Sequence, residues 1–210
     1  MDMAAYITAF VTLFVIIDPI GLAPIFIALT LDMDAAQRRR IGLRALCIAA
    51  ILLTLFGLAG DAILSGIGIS ISAFRIAGGL LLFLTALDML FERRTERREG
   101  KADEEEIAHD PTHDPSVFPL AMPLLAGPGA LASMILLVGQ GEGVAHVLMV
   151  HLVMLSVLAI AMVLFMLATP LARGLGRTGT MVVTRLLGML LAALSVQFVI
   201  DGLHGSGLFG

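Results

Sequence analysis

The sequence is poor in cysteine, tryptophan and charge. Its single cysteine, Cys47, excludes an intramolecular disulfide and any zinc site built from several cysteines. Only 14% of its 210 residues are charged, whereas soluble domains average about 25%. The basic residues lie in short clusters beside apolar segments, so we expect no nucleic-acid partner. With 59% hydrophobic residues, the composition predicts an integral membrane protein whose main partner is the lipid bilayer.

Long apolar segments recur along the chain. A bilayer hydrocarbon core of about 30 Å requires about 20 apolar residues for each spanning helix. The segments that meet this length are 4–31, 41–64, 71–91, 117–139, 144–170 and 180–203. The sequence therefore predicts an all-α membrane protein with six transmembrane helices.

The arginines predict the orientation of these helices. Clusters of arginine mark the cytoplasmic side of a membrane protein, and here they lie in or beside the connections 32–40, 92–116 and 171–184. The alternate connections contain no lysine or arginine. We therefore expect a multi-pass protein with both termini outside the cytoplasm. Arg75 is the exception, and it lies near the outer end of the third segment, where its long side chain can reach the interface.

Two of the six segments contain helix-breaking residues near their centres. The first holds Asp18, Pro19 and Gly21, and the fourth holds Pro128 between Gly127 and Gly129. Proline removes a backbone N–H and clashes with the preceding turn, so an unbroken helix is not expected at either place. We predict that helices 1 and 4 are broken at mid-membrane depth. Such paired interruptions are typical of transporter binding sites.

The two halves of the chain share a pattern. Arg75-x-x-Gly78-x-Leu80-Leu81-x-x-Leu84-Thr85 recurs 110 residues later as Arg185-x-x-Gly188-x-Leu190-Leu191-x-x-Leu194-Ser195, and Pro19 and Pro128 are 109 residues apart. Because each half has three helices, the second must enter the membrane from the opposite side. The pattern predicts a 3+3 inverted repeat within one membrane domain, with the halves at 1–91 and 117–210.

Between the halves lies a hydrophilic linker, 92–116. It contains two His-Asp-Pro units, at 109–111 and 113–115, which could bind a divalent metal weakly. Its content of proline and charge is more simply typical of a solvated cytoplasmic linker. We therefore assign no metal ligand.

Three runs of residues resemble the signatures of the MarC family of bacterial inner-membrane proteins. The runs are Asp18-Pro19-Ile20-Gly21-Leu22-Ala23-Pro24-Ile25-Phe26, Phe74-Arg75-Ile76-Ala77-Gly78-Gly79, and Pro119-Leu120-Ala121-Met122-Pro123-Leu124-Leu125-Ala126-Gly127-Pro128-Gly129-Ala130. The resemblance covers nearly the whole chain. It implies six helices in two inverted repeats, a place in the bacterial inner membrane, and transport of neutral amino acids, the activity attached to some members.

Candidate substrate-binding residues lie at the two breaks. Asp18 can cap the second half-helix, with Pro19 as its first residue. Alternatively its carboxylate binds an ammonium group, a proton or a sodium ion. At the second break Gly127 has no side chain to cap with, so the positive end of a half-helix is available to an anion. The candidates at the breaks are Asp18, Gly21, Gly127, Gly129, Ala130 and Leu131, the last three through their backbone amides.

Further candidates lie on the repeated helices. Thr85 is seven residues from Gly78, and Ser195 is seven from Gly188, so each pair occupies one helical stripe. Such stripes either let helices pack closely or line a cavity. His151, deep in the fifth segment, could relay protons or simply face a neighbouring helix.

The leading functional hypothesis is a secondary transporter that moves a small zwitterion, a neutral amino acid, by alternating access. A proton or a sodium ion is the candidate coupling ion. The alternatives are an exporter of cations or other small metabolites, a non-transporting membrane scaffold, and an intramembrane enzyme. We expect no enzyme, because no pair of helices supplies a nucleophile with a base, paired carboxylates or a metal cluster. No phosphate loop or other cofactor motif is present, so we expect no cofactor.

Overall fold

The computed structural model describes residues 3–30, 33–91 and 114–207, and in these ranges the chain forms helices and turns with no strand. The helices are α1 (Met3–Ile17), α2 (Pro19–Leu29), α3 (Ala35–Gly66), α4 (Ile71–Leu90), a π-helical segment (Ser116–Leu125), α5 (Pro128–Val138), α6 (Val144–Met166) and α7 (Ala168–Gly205). The predicted all-α class is confirmed.

Five stretches within the described ranges are long and apolar enough to cross a membrane: Met3–Leu29, Ala35–Gly66, Ile71–Leu90, Val144–Met166 and Met181–Gly205. The remaining predicted span, 117–139, is divided. Its first part has extended dihedral angles at Phe118 and Met122, and its second part is the 11-residue helix α5. Five of the six predicted spans are therefore long and apolar enough to cross a membrane, the first of them with its break at Asp18, and a count of six is not confirmed.

Helix boundaries follow local capping chemistry. Asp34 accepts a hydrogen bond from the Gln37 amide at 2.8 Å, and the Gln37 side chain accepts one from the Asp34 amide at 3.1 Å. This reciprocal capping box begins α3 before the predicted residue 41. The predicted connection 171–184 is wrong as a loop, because α7 runs through it with one departure from helical geometry at Gly176 (φ 62°, ψ 178°).

The broken first span lies at the centre of the bundle. In Met3–Leu29, 61% of the most hydropathic window is buried, against 33% or less in the other four spans. Those spans direct large apolar side chains outward, for example Ile51 (66% exposed) on α3 and Leu84 (59% exposed) on α4. Such a surface is unfavourable in water and normal against lipid. The first break is thus surrounded by protein, while the outer helices have the apolar surface that suits a bilayer.

Helices α4 and α7 pack closely and antiparallel. A β-carbon on Gly79 would lie 2.8 Å from the carbonyl oxygen of Ser195, and one on Gly202 would lie 2.9 Å from that of Ser72. The early part of α4 therefore meets the end of α7. Contacts this short are open only to glycine, so these residues set the distance between the two helices.

Helix α6 runs in the same direction as α1 and α2. At its start, the His146 ring lies 6.4 Å from the Tyr6 ring of α1, centroid to centroid. Near its end, Phe165 stacks on Phe26 of α2, with centroids 4.6 Å apart and planes 6° apart. His146 Nε2 also donates to the Leu137 carbonyl at 2.9 Å. The end of α5 thus meets the beginnings of α1 and α6.

Asp114 anchors the start of the second half to α3. Its carboxylate pairs with the Arg44 guanidinium and accepts hydrogen bonds from the Ser116 hydroxyl (2.6 Å) and amide (3.0 Å). Partial burial alone would raise the pKa of Asp114. The Ser116 hydrogen bonds and the Arg44 charge outweigh that effect and hold the pKa below its ordinary 3.8. Residues 92–113 of the predicted linker, including its first His-Asp-Pro unit, lie outside the described residues.

Candidate functional site

The first break is a single residue, Asp18, in the left-handed region (φ 53°, ψ 61°). Its amide donates to Phe14 O at 2.9 Å and its carbonyl accepts from Leu22 at 3.0 Å, so it ends one helix and begins the next. Asp and Asn tolerate this backbone conformation better than other side chains. Pro19 follows as the first residue of α2, where its missing N–H leaves no donor unpaired. The predicted break at Asp18 and Pro19 is confirmed.

The Asp18 carboxylate is buried and folds over Gly21. Asp18 is only 1% exposed, and its Oδ1 accepts the Gly21 amide at 3.1 Å. A β-carbon on Gly21 would overlap Oδ2 and lie 2.8 Å from Cγ. The capping role of Asp18 is therefore confirmed, and Gly21 has a structural reason to lack a side chain. A carboxylate has two oxygens with about four lone-pair sites, so capping and ligand binding are compatible in principle.

The second break has a different construction. Gly127 is extended (φ −71°, ψ 168°) and α5 begins after it with no side-chain cap. The Leu131 amide donates to Gly127 O at 3.0 Å, so the prediction that this amide is free is wrong. Pro128 has no N–H. The amides of Gly129 and Ala130 precede the first intrahelical bond, and these two are the positive end of α5.

The two breaks lie close to one another. A β-carbon on Gly129 would lie 3.5 Å from Ile16 Cγ2 of α1, 3.3 Å from Leu82 Cδ2 and 4.0 Å from Thr85 Oγ1, both of α4. Ile16 is two residues before Asp18. The structure thus brings together three of the predicted elements: the end of α1, the start of α5 and the Thr85 face of α4. The Thr85 hydroxyl donates to Leu81 O at 2.9 Å, which leaves its lone pairs available.

Ser195 has a different environment from Thr85. It is fully buried, its hydroxyl donates to Ala192 O at 2.7 Å, and its carbonyl lies against Gly79 in the α4–α7 contact. Gly188 likewise faces Met89 and Ala86 of α4. For this stripe the close-packing alternative is the one that the contacts support.

Charge in the site is confined to one group. Of the residues classed as buried in ranges 3–30, 33–91 and 114–207, Asp18 alone carries a carboxylate. In the part of the chain that the structure describes, no three His, Cys, Asp or Glu residues are grouped to hold a metal ion. The site therefore combines one buried carboxylate with the N-terminus of a half-helix.

Sequence reasoning missed a cavity of about 360 Å³ beyond the end of α2. It lies between α2, α3, α6 and α7, and its lining includes Phe26, Thr30, Arg38, Phe165 and Thr169. Arg38 Nε donates to Thr30 O at 3.0 Å, so the arginine completes the C-terminal end of α2. The sequence signal for this cavity is the presence of Arg38 in the first arginine cluster, which by itself indicates only the side of the membrane.

Two buried hydroxyls were also missed. Thr8 of α1, which is exposed, donates to Ala4 O at 3.0 Å. Thr12, one turn further along α1, is fully buried and its hydroxyl has no partner among the described residues, as is true of Ser133. A serine or threonine inside an apolar segment was the only sequence signal for either.

These features define a polytopic α-helical membrane protein with a polar site at helix interruptions. The chain matches the family described as "MarC family integral membrane protein" over residues 3–206. It therefore belongs to the MarC family. It is 41% identical to a UPF0056 membrane protein of Archaeoglobus fulgidus, covering 97% of this chain and 96% of that protein. It is 35% identical to the UPF0056 membrane protein YhcE of Escherichia coli, covering 97% and 94%. No solved structure matches significantly.

Proposed function

We propose that the protein is a secondary transporter of small zwitterionic metabolites, neutral amino acids in particular. The observation that carries this proposal is the meeting of the two interruptions, with Gly129 against Ile16 and Thr85. Interrupted helices expose backbone groups inside a membrane. Such groups are tolerated only where protein buries them or where they line a water-filled cavity. Paired interruptions from two halves are the usual place of a transporter binding site.

The proposed site has opposite polarity at its two ends. The Asp18 carboxylate attracts the substrate ammonium group, while the Gly129 and Ala130 amides receive the carboxylate. A zwitterion bridges the two breaks, and neither of its charges faces a like charge. Thr85 supplies a hydroxyl between them. Gly21 and Gly127 keep the backbone free of side chains beside the ligand.

The architecture that we propose is six spans arranged as a 3+3 inverted repeat. The antiparallel contact between α4 and α7 supports it, because these helices carry the repeated Gly-x₆-Thr/Ser pattern and an inverted repeat orients its equivalent helices in opposite directions. Rocking of the repeats about the site between the breaks then gives alternating access. The divided segment 116–138 is the fourth, broken span of this scheme.

The proposed location is the bacterial inner membrane, with both termini on the outer side and the arginine clusters in the cytoplasm. In that orientation the 360 Å³ cavity beside Arg38 lies at the cytoplasmic end of α2. It forms the inner vestibule through which substrate leaves or enters the site. We assign the protein no enzymatic activity and no cofactor, and a proton or sodium gradient is its energy source.

Proteoliposomes test the function directly. Purified protein is reconstituted, the vesicles are loaded with one unlabelled neutral amino acid, and entry of the labelled form is followed with and without a proton or sodium gradient. We expect saturable exchange that empty liposomes lack. If a panel covering all neutral amino acids enters no faster than into empty liposomes, the assignment to amino acid transport is wrong.

A further inference from the structure

His151 of α6 has one bonded and one unbonded ring nitrogen. Its Nδ1 is 2.7 Å from Val147 O. A carbonyl oxygen only accepts, so this bond assigns the proton to Nδ1 and makes Nε2 an acceptor. Nε2 is buried and has no partner among the described residues. An acceptor without a donor inside an apolar bundle is unfavourable, so its presence requires an explanation.

The space in front of Nε2 is bounded by α3 and α5. A β-carbon on Gly57 would lie 3.3 Å from Nε2 and 3.1 Å from Met134 Cε. Helix α5 has no ionisable residue, and the carboxylate closest along α3 is Asp61, which is exposed. The α3 arginine nearest to Gly57 is Arg44, 13 residues earlier, which is about 20 Å along a helix. No charge on these helices compensates His151 directly.

The other helices that contact α6 are equally poor in charge around His151. The only ionisable residue of α1 is Tyr6, whose ring lies beside His146. Helix α2 has none and is preceded by Asp18, which caps it. On α6 itself, His146 is bonded to a carbonyl of α5. The described ionisable side chains at the membrane-spanning part of α7 are Arg185, Asp201 and His204, and His151 bonds to none of them.

Two hydroxyls share the level of His151. Tyr6, Leu137 and His146 meet at one end of the bundle. Counted from this end, Thr12 lies six residues after Tyr6 on α1, which is about 9 Å along the helix axis. His151 lies five residues after His146 on α6, or about 7.5 Å, and Ser133 lies four residues before Leu137 on α5, or about 6 Å. Thr12 and Ser133 are fully buried, and their hydroxyls have no partner within the part of the chain that the structure describes. A hydroxyl donates and accepts, so through a bridging water it can serve Nε2 in either protonation state.

We propose that Nε2 of His151 binds the proton that couples transport to the proton gradient. This inference rests on the transport function proposed above. The Nε2 lone pair takes a proton from the side to which the site is open, which gives an imidazolium with both nitrogens protonated. Release to the other side restores the neutral Nδ1–H form, so no other reactant is consumed. A sodium ion does not fit this position, because hard cations prefer oxygen ligands to imidazole nitrogen.

The test separates exchange from accumulation. Exchange of labelled for unlabelled amino acid needs no net proton movement, whereas accumulation from equal concentrations does. With one proton per substrate, a gradient of about one pH unit drives accumulation of about tenfold in the wild type. His151→Gln is expected to exchange at a similar rate and to accumulate nothing. A merely structural histidine would lower both activities together.

Gly57→Ala is the second variant, because its added methyl occupies the space in front of Nε2. Gly42→Ala is its matched control on the same helix. A β-carbon there would lie 3.3 Å from Met162 Sδ and near Phe26, away from any histidine. We expect Gly57→Ala to lower the accumulation ratio with exchange retained, and Gly42→Ala to match the wild type. This pair decides the question if His151→Gln is not recovered folded.

The outcomes distinguish the two proposals. If the wild type exchanges no amino acid, both the transport function and the inference fail. If it exchanges but ignores the proton gradient, or if His151→Gln accumulates like the wild type, transport stands and His151 is not the coupling site. Equal behaviour of Gly57→Ala and Gly42→Ala would also overturn the inference.

Discussion

Asp18 is the residue whose replacement tests the proposed site most directly. Asparagine has the same shape, tolerates the left-handed backbone and caps helices about as well as aspartate. Asp18→Asn therefore keeps the bond from the Gly21 amide, which is 3.1 Å long in the wild type. The variant removes the negative charge, and exchanges one carboxylate oxygen for an NH2 group, at a residue that is 1% exposed. We expect it to insert and fold with little change in thermal stability.

Substrate binding should respond very differently. Removing one partner of a buried charge pair costs roughly 3–5 kcal/mol, which is about two to three and a half orders of magnitude in affinity. If Asp18 holds the substrate ammonium group, Asp18→Asn loses amino acid binding by more than about a hundredfold. The assay is substrate-induced thermal stabilisation of the purified protein, titrated with the amino acid that stabilises the wild type.

Asp34→Asn is the matched control. Asp34 is also an N-cap aspartate, accepting from the Gln37 amide at 2.8 Å, but it is exposed. The Asp34→Asn variant should bind substrate with the same affinity as the wild type. If Asp18→Asn also binds with wild-type affinity, Asp18 acts as a cap alone, and the proposed polarity of the site is refuted.

Three further outcomes are expected. Gly129→Leu should insert into the membrane but lose uptake, because its side chain enters the space between α1 and α4. Gly174→Leu should transport normally, because an added β-carbon there meets nothing within 4 Å. Equal uptake by the two variants would contradict the proposed site. A cysteine at Glu104, in a Cys47→Ser background, should resist an impermeant outside reagent, and ready labelling would contradict a cytoplasmic linker. The pKa of Asp114 in the folded protein lies below 3.8. Ionised Asp114 therefore stabilises the folded state, by less than about 1 kcal/mol for an exposed pair. This stabilisation should be fully present above pH 3.8 and should be lost as the pH falls through the lower pKa of the folded protein. Asp114→Asn should therefore lower the melting temperature slightly at pH 7 and not near pH 2; an equal effect at both would refute this.

Local backbone chemistry was readable from the sequence. Proline has no N–H wherever it stands, and Asp before Pro is a favoured helix start, so the first break was placed correctly at Asp18 and Pro19. Composition alone indicated a membrane protein, because 59% hydrophobic residues is more than a soluble domain can bury in its core. These conclusions depend on a few neighbouring residues or on totals, and neither requires knowledge of the packing.

Which faces meet was decided only by the tertiary structure. Helix α6 is apolar along most of its length, yet only 28% of its most apolar part is buried, and Leu152 is exposed while Met154 is buried. Lipid and protein interior are both apolar, so no hydrophobic pattern distinguishes the two faces. For the same reason Thr85 and Ser195 are equivalent in the sequence pattern. In the structure Thr85 faces the second break, whereas Ser195 lies in the α4–α7 contact. The close approach of the Asp18 side chain to Gly21, and a His151 nitrogen with no partner among the described residues, likewise depend on where neighbouring side chains lie, which packing fixes and sequence spacing does not.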